Sequence, residues 1–259
     1  MAFYGKVAMV TGAASGMGRV AALRLAAQGA TVAIVDLNQQ ALAQTVAMAP
    51  GMVPFTCDVS KLEQVEKLVA DAEAQLGPIE RLTHCAAIMP GQSLEAMPAT
   101  NINQMMAINY GGTVNMVKTL WPRMQQRGAG DIIMFGSMAG EVLTHNLGAY
   151  CATKAATNTF AEVLYRENRN SPIRFLLVCP PMVDTPLVKQ ALEQGPGSLS
   201  DALSKGRMVS AESIIDAVEN AIEKGRWRVT PGSAGFMMRL RRFFPGLLWK
   251  VMEKANKVP

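Results

Sequence analysis

Short apolar runs alternate with amphipathic stretches along this chain, and that alternation limits its fold more than any other feature. Residues 7–10, 31–35, 52–56, 81–85, 131–135 and 173–178 read as strands, and a shorter one lies near 226–230. Between them fall stretches with helical spacing at 17–28, 39–48, 62–76, 101–126, 150–169 and 211–224. In the third of these, Leu62, Val65, Leu68, Val69, Ala72 and Leu76 share one face. Strands that are apolar throughout must be covered on both sides, so the pattern implies an α/β fold built on a parallel sheet. The 259 residues hold no internal repeat and no shift in composition that would separate two domains. We therefore expect one domain over 1–234, a Pro-, Gly- and Ser-rich mobile loop or lid at about 182–210, and a C-terminal extension over 235–259.

Composition removes several function classes. The net charge of +5 lies in that extension, where Arg239, Arg241, Arg242, Lys250, Lys254 and Lys257 face only Glu253. The rest of the chain is neutral, so its body is not expected to bind nucleic acid. Cys57, Cys85, Cys151 and Cys179 are scattered without metal spacing, and there are only two histidines. We expect reduced, buried thiols, no metal site, and a cytoplasmic protein without a leader or a membrane-spanning run.

The first strand runs directly into Thr11-Gly12-Ala13-Ala14-Ser15-Gly16-Met17-Gly18, which opens the first helix. Glycine lets a backbone turn tightly and approach a pyrophosphate, and the helix start offers free N–H groups to the anion. Asp36 ends the second strand, where a carboxylate can accept from the diol of an adenosine ribose. The same carboxylate repels a 2′-phosphate, and residues 13–17 and 37–40 hold no Lys or Arg to offset it. This favours NAD over NADP. Asp36 as a cap for the next helix is the alternative.

Tyr150 and Lys154 stand one helical turn apart, with Ser137 thirteen residues upstream. A cation on the same helix face is expected to lower the phenol pKa from about 10, making Tyr150 a general acid or base near neutrality. Ser137 as a helix cap and Asn109 as a polar helix residue are the structural alternatives.

Taken together, the motifs resemble the short-chain dehydrogenase/reductase family over roughly residues 4–232. Thr11, Gly12, Gly16 and Gly18 match its glycine motif, Asp58-Val59 its adenine-side pair, and Asn109, Ser137, Tyr150 and Lys154 its catalytic set. The resemblance implies a Rossmann-like, doubly wound sheet of about seven strands with helices on both faces. It implies NAD as cofactor, held by Gly12, Ser15, Gly16, Met17, Gly18, Asp36, Asp58, Val59, Ala86, Tyr150, Lys154, Val183 and Thr185. Tyr150 would be the acid–base, Ser137 would hold the substrate oxygen, Lys154 the nicotinamide ribose, and Asn109 a relay water.

There are two departures from the family pattern. His84-Cys85-Ala86-Ala87 stands where the family has Asn-Asn-Ala-Gly, and His84 is expected to bond backbone there. Pro180-Pro181 replaces Pro-Gly, which stiffens the turn.

Substrate contacts are expected from Met89, Ser137, Met138, Val142 and Met182, with Pro90, Ala139, Gly140 and Leu143 close by. These suit a hydrophobic secondary alcohol or ketone. A 3-oxoacyl thioester reductase and a non-catalytic dinucleotide sensor are the alternatives. The resemblance also implies a homodimer or homotetramer formed through the long helices. In the extension, Phe236, Met237, Leu240, Phe243 and Phe244 fall on one helical face, with Arg239, Arg241 and Arg242 opposite. That face suits docking over the active-site entrance, a neighbouring subunit or, as a peripheral contact, a membrane surface.

Overall fold

The computed structural model describes residue 3, residues 5–192 and residues 208–256. Seven strands form one parallel sheet in the order β3-β2-β1-β4-β5-β6-β7. They are β1 Val7–Thr11, β2 Thr31–Asp36, β3 Met52–Thr56, β4 Arg81–His84, β5 Gly130–Phe135, β6 Ile173–Val178 and β7 Arg228–Val229. The helices α1 Gly16–Ala27, α2 Gln39–Val46, α3 Leu62–Leu76, α4 Ala99–Met106, α5 Gly112–Arg127 and α6 Gly148–Glu167 follow in chain order. Next come α7 Pro186–Leu192, α8 Ala211–Glu223, α9 Ala234–Phe243 and α10 Pro245–Asn256.

Side chains alternate between the two faces of each strand, and both faces are apolar. Val7 and Met9 join one buried cluster with Leu68, Leu120 and Phe175, while Ala8 and Val10 join another with Leu25, Ile34 and Ile215. The chain leaves β1 toward β2 on one side and returns to β4 on the other. The carboxyl ends of β1, β2 and β4 therefore open onto the point where strand order reverses, where ligands of such sheets bind. At the opposite end, buried Arg81 bonds Asp131 at 2.7 Å and Glu219 at 3.0 Å, and Arg174 meets Asp131 at 2.6 Å. This ion cluster ties β4, β5 and β6 together away from the site.

Three expectations need correction. The helix expected at 101–126 is broken by a π-helical turn, Ala107–Gly111, whose tertiary bonds are described below. The loop expected over 182–210 contains α7, and its residues 193–207 lie outside the described residues. The extension packs on the body through Met238 and Leu248, both in the main cluster, while Phe236, Phe243 and Phe244 point to solvent. The buried residues of α9 are Ala234 and Met238; of the face read in the sequence, Met237 and Leu240 pack against the main cluster. The Arg241 guanidinium lies 5.9 Å from the Trp249 ring centre.

Candidate active site

The glycine turn adopts backbone that side chains would obstruct. Gly12 has φ +66°, and a Cβ there would stand 2.9 Å from the Ala86 nitrogen. Gly16 has φ +51° and faces the Thr185 side chain. At Gly18 a Cβ would lie 2.2 Å from the Gly12 carbonyl oxygen, so only glycine lets α1 start directly behind the turn. Ser15 precedes α1 without giving its side chain to the helix, and the first turn carries no acid, which leaves the helix start open to an anion.

Asp36 accepts from Ala14 N at 3.2 Å and Asn38 N at 3.0 Å. The cap of α2 is Asn38, which accepts from Ala41 N, so Asp36 does not serve as the helix cap. Arg19 is committed elsewhere: it donates to Thr45 Oγ1 at 3.0 Å and to the Ala14 carbonyl. Asp58 accepts from both the nitrogen and the hydroxyl of Ser60, which holds it at the wall beside Val59. A cavity of about 480 Å³ is lined by the glycine turn, Asp36, Asp58, Val59, Ala86 and Thr185. Glycine at each close approach, an uncapped helix start and one carboxylate at the strand end fit a dinucleotide.

A second cavity of about 290 Å³ adjoins it, and Met17, Cys85, Ala87, Thr185 and Leu187 line both. Ser137, Tyr150 and Lys154 line this second cavity. Tyr150, Lys154 and Asn158 follow one another by four residues along the buried face of α6. Lys154 Nζ donates to the Phe135 carbonyl at 2.8 Å and lies 5.8 Å from the Tyr150 ring centre. Burial lowers the Lys154 amine to about 8. The expected depression of the Tyr150 pKa by Lys154 is absent from this structure. Burial pushes the phenol well above its ordinary range, against a smaller opposing effect of its hydrogen bond with Ser137.

Ser137 also caps the short 3₁₀ turn Met138–Gly140, its Oγ accepting from Ala139 N at 3.0 Å. Capping and contact with Tyr150 coexist in this one hydroxyl. Asn158, which the sequence reading missed, donates from Nδ2 to the Ser137 carbonyl at 3.0 Å and accepts from its nitrogen at 3.3 Å. A signal was present: a polar side chain two turns beyond Tyr150 on a buried helix face.

Asn109 sits in the π turn, where a regular helix was expected. Its side chain bonds both polar groups of the Ile88 backbone, at 2.8 and 2.9 Å, and donates to Thr153 Oγ1 at 3.0 Å. Those three bonds tie the π turn to the segment after β4 and to α6. His84 also departs from expectation. It pairs with a hydroxyl, Thr11 Oγ1 at 2.8 Å, where a backbone partner was expected; that hydroxyl also accepts from Ala86 N. Burial, then the Lys154 charge, pushes His84 down to about 3, so it stays neutral near pH 7 and its role is structural.

Met89, Met138, Val142 and Met182 line the second cavity, together with Ala139 and Val183, whereas Pro90, Gly140 and Leu143 do not. Thr185 donates to the Val183 carbonyl at 3.4 Å, and Val183 pairs with Val209 across the loop. Met237 and Met252 complete the wall from the C-terminal helices, more than eighty residues from Tyr150 in sequence. Four free cysteines are present, and no cluster of metal-ligating side chains occurs among the described residues.

Residues 6–195 match the family model described as short chain dehydrogenase. The chain is 32% identical over 246 residues to 1-deoxy-11-beta-hydroxypentalenate dehydrogenase of Streptomyces exfoliatus, covering 92% of this chain and 87% of that one. It is 30% identical over 230 residues to the probable oxidoreductase EphD of Mycobacterium tuberculosis, covering 83% of this chain but only 39% of the relative's length. A solved structure of a short-chain dehydrogenase/reductase from Burkholderia phymatum in complex with NAD superposes with TM-score 0.84 at 27% identity, covering 95% of this chain and 96% of that one. Fold, site and relatives agree that this chain belongs to the short-chain dehydrogenase/reductase family of oxidoreductases.

Proposed function

We propose that this protein interconverts a hydrophobic secondary alcohol and its ketone with NAD(H), and that Tyr150 moves the proton. The observation that carries this reading is the pair of joined cavities, with Ser137, Tyr150 and Lys154 in the apolar one beside the dinucleotide-shaped one. A bound nicotinamide supplies the hydride donor or acceptor. Tyr150 gives its proton to the carbonyl oxygen during reduction and takes the alcohol proton during oxidation. Ser137, its backbone held by Asn158, donates to the same oxygen and offsets the charge that develops there. Lys154 holds the nicotinamide ribose, and Asn109 fixes the turn beneath α6. The methionine-rich wall adapts to bulky apolar groups, and the hydroxylated compound named for the Streptomyces relative is of a compatible class. Four unpaired thiols suit a reducing cytoplasm. A panel of secondary alcohols and ketones of graded size tests the reading. Turnover should rise with apolar bulk, and turnover of small polyols alone would refute the hydrophobic assignment.

Asp36 carries the preference for NAD. With like charges juxtaposed, a 2′-phosphate is disfavoured by several kcal/mol, so Asp36→Ala should lower the NADH-to-NADPH ratio of kcat/KM by about 10²-fold. An unchanged ratio would remove Asp36 from cofactor choice.

The site also sets a pH signature. Alcohol oxidation needs Tyr150 deprotonated, while burial holds it protonated. Oxidation should therefore climb about tenfold per unit from about pH 6 to 8, while reduction stays nearly level. A flat oxidation profile under conditions where chemistry limits the rate would contradict Tyr150 as the base.

A further inference from the structure

The C-terminal helices have two faces. Inward, Met237 and Met252 line the substrate cavity, and Leu248 and Met238 are buried. His145 meets Trp249 edge-on at 5.4 Å between ring centres, which holds α10 down over that wall. Outward, Phe236, Phe243, Phe244, Leu247 and Val251 are 63, 68, 59, 54 and 48% exposed. They make up half of the large apolar side chains exposed among the described residues. Phe236 and Phe243 are two helical turns apart and share a face, as do Leu247 and Val251 one turn apart. Exposed Arg239, Arg242, Lys250 and Lys254 surround them, and none makes an ion pair among the described residues.

We propose that this outer face of α9 and α10 docks on an anionic lipid surface. Aromatic side chains flanked by unpaired basic ones suit the boundary between headgroups and acyl chains: the rings enter it and the cations meet lipid phosphates. Charge selects this occupant over a second copy of the chain. Residues 235–259 hold six basic side chains and one acidic, so a two-fold contact through this face would set like charge against like. No described helix is long and apolar enough to cross a bilayer, so the contact lies on the surface. If the cavity takes an apolar substrate as proposed above, the same two helices separate that cavity from the lipid.

The test is co-sedimentation of the full chain with vesicles of phosphatidylcholine containing phosphatidylserine, against phosphatidylcholine alone. Arg239→Glu/Arg242→Glu and Phe243→Ser/Phe244→Ser are compared with the parent, and NADH binding reports that each remains folded. The phosphatidylserine vesicles should retain the parent at least about tenfold better than phosphatidylcholine alone, with binding weakening as salt rises. Each double variant should lose about tenfold while still binding NADH. Equal binding by parent and both variants would overturn the proposal, as would no binding to phosphatidylserine vesicles. So would a dimer of the parent that the variants abolish without any lipid binding. None of these outcomes depends on the alcohol chemistry, which is read separately by turnover in the absence of vesicles.

Discussion

Tyr150→Phe should lower kcat by about 10²–10⁴-fold while changing the NADH dissociation constant by less than about threefold. The substitution removes one hydroxyl and keeps the ring, which is buried on α6 beside Met89, Met105 and Leu147. Packing is therefore preserved. What disappears is the proton carrier, along with the hydrogen bond that reaches Ser137. Gly12, Gly16, Gly18 and Asp36 line the neighbouring cavity and not the one that holds Tyr150, so cofactor affinity should barely respond. Stopped-flow turnover and fluorescence titration with NADH separate the two effects. Loss of both together would mean that the ring is structural.

Gly18→Ala should have the largest effect on stability. The added methyl meets the Gly12 carbonyl at 2.2 Å and its carbon at 2.6 Å, both backbone atoms that no rotamer change can move. The turn must shift off the start of α1. Overpacking of this kind costs about 3 kcal/mol at the upper end of its usual range. For a domain of this size that is a fall in Tm of about 6–12 °C. NADH affinity should fall as well, because the displaced turn is the floor of the dinucleotide cavity. Gly246→Ala is the control: a Cβ there meets nothing within 4 Å, so Tm should hold. Equal Tm for both variants would show that the turn yields freely.

The parts legible in the sequence were those set by local spacing. Apolar runs marked the strands, and three glycines in seven residues marked a turn that side chains would block. Tyr150 and Lys154 four residues apart marked one helix face. The illegible parts depend on what lies across the fold. Residues 101–126 read as one helix because each residue tolerates helix, yet the Asn109 bonds to Ile88 and Thr153 coincide with a π turn there. The raised pKa of Tyr150 follows from burial in a cluster with Met89, Met105, Leu147 and Val188, which a four-residue spacing does not report. In α9 two apolar arcs compete on one short helix. Packing against the 3₁₀ turn and β7 buried Met238, which lies 3.6 Å from an Arg228 nitrogen, and left Phe236, Phe243 and Phe244 outside. Met237 and Met252 reach the cavity only because α9 and α10 fold back over it.

In the proposed reaction a hydride passes between the nicotinamide and a carbinol carbon while Tyr150 handles the proton. Its most direct test is reduction of an apolar ketone by NADH that carries deuterium at its hydride-donating carbon, with product analysis by mass spectrometry and NMR. Each product molecule should carry one deuterium, on the carbinol carbon, and Tyr150→Phe should lose rate without loss of that label position. Alcohol formed without deuterium at that carbon, or no alcohol from any apolar ketone despite tight NADH binding, would contradict the proposed reaction.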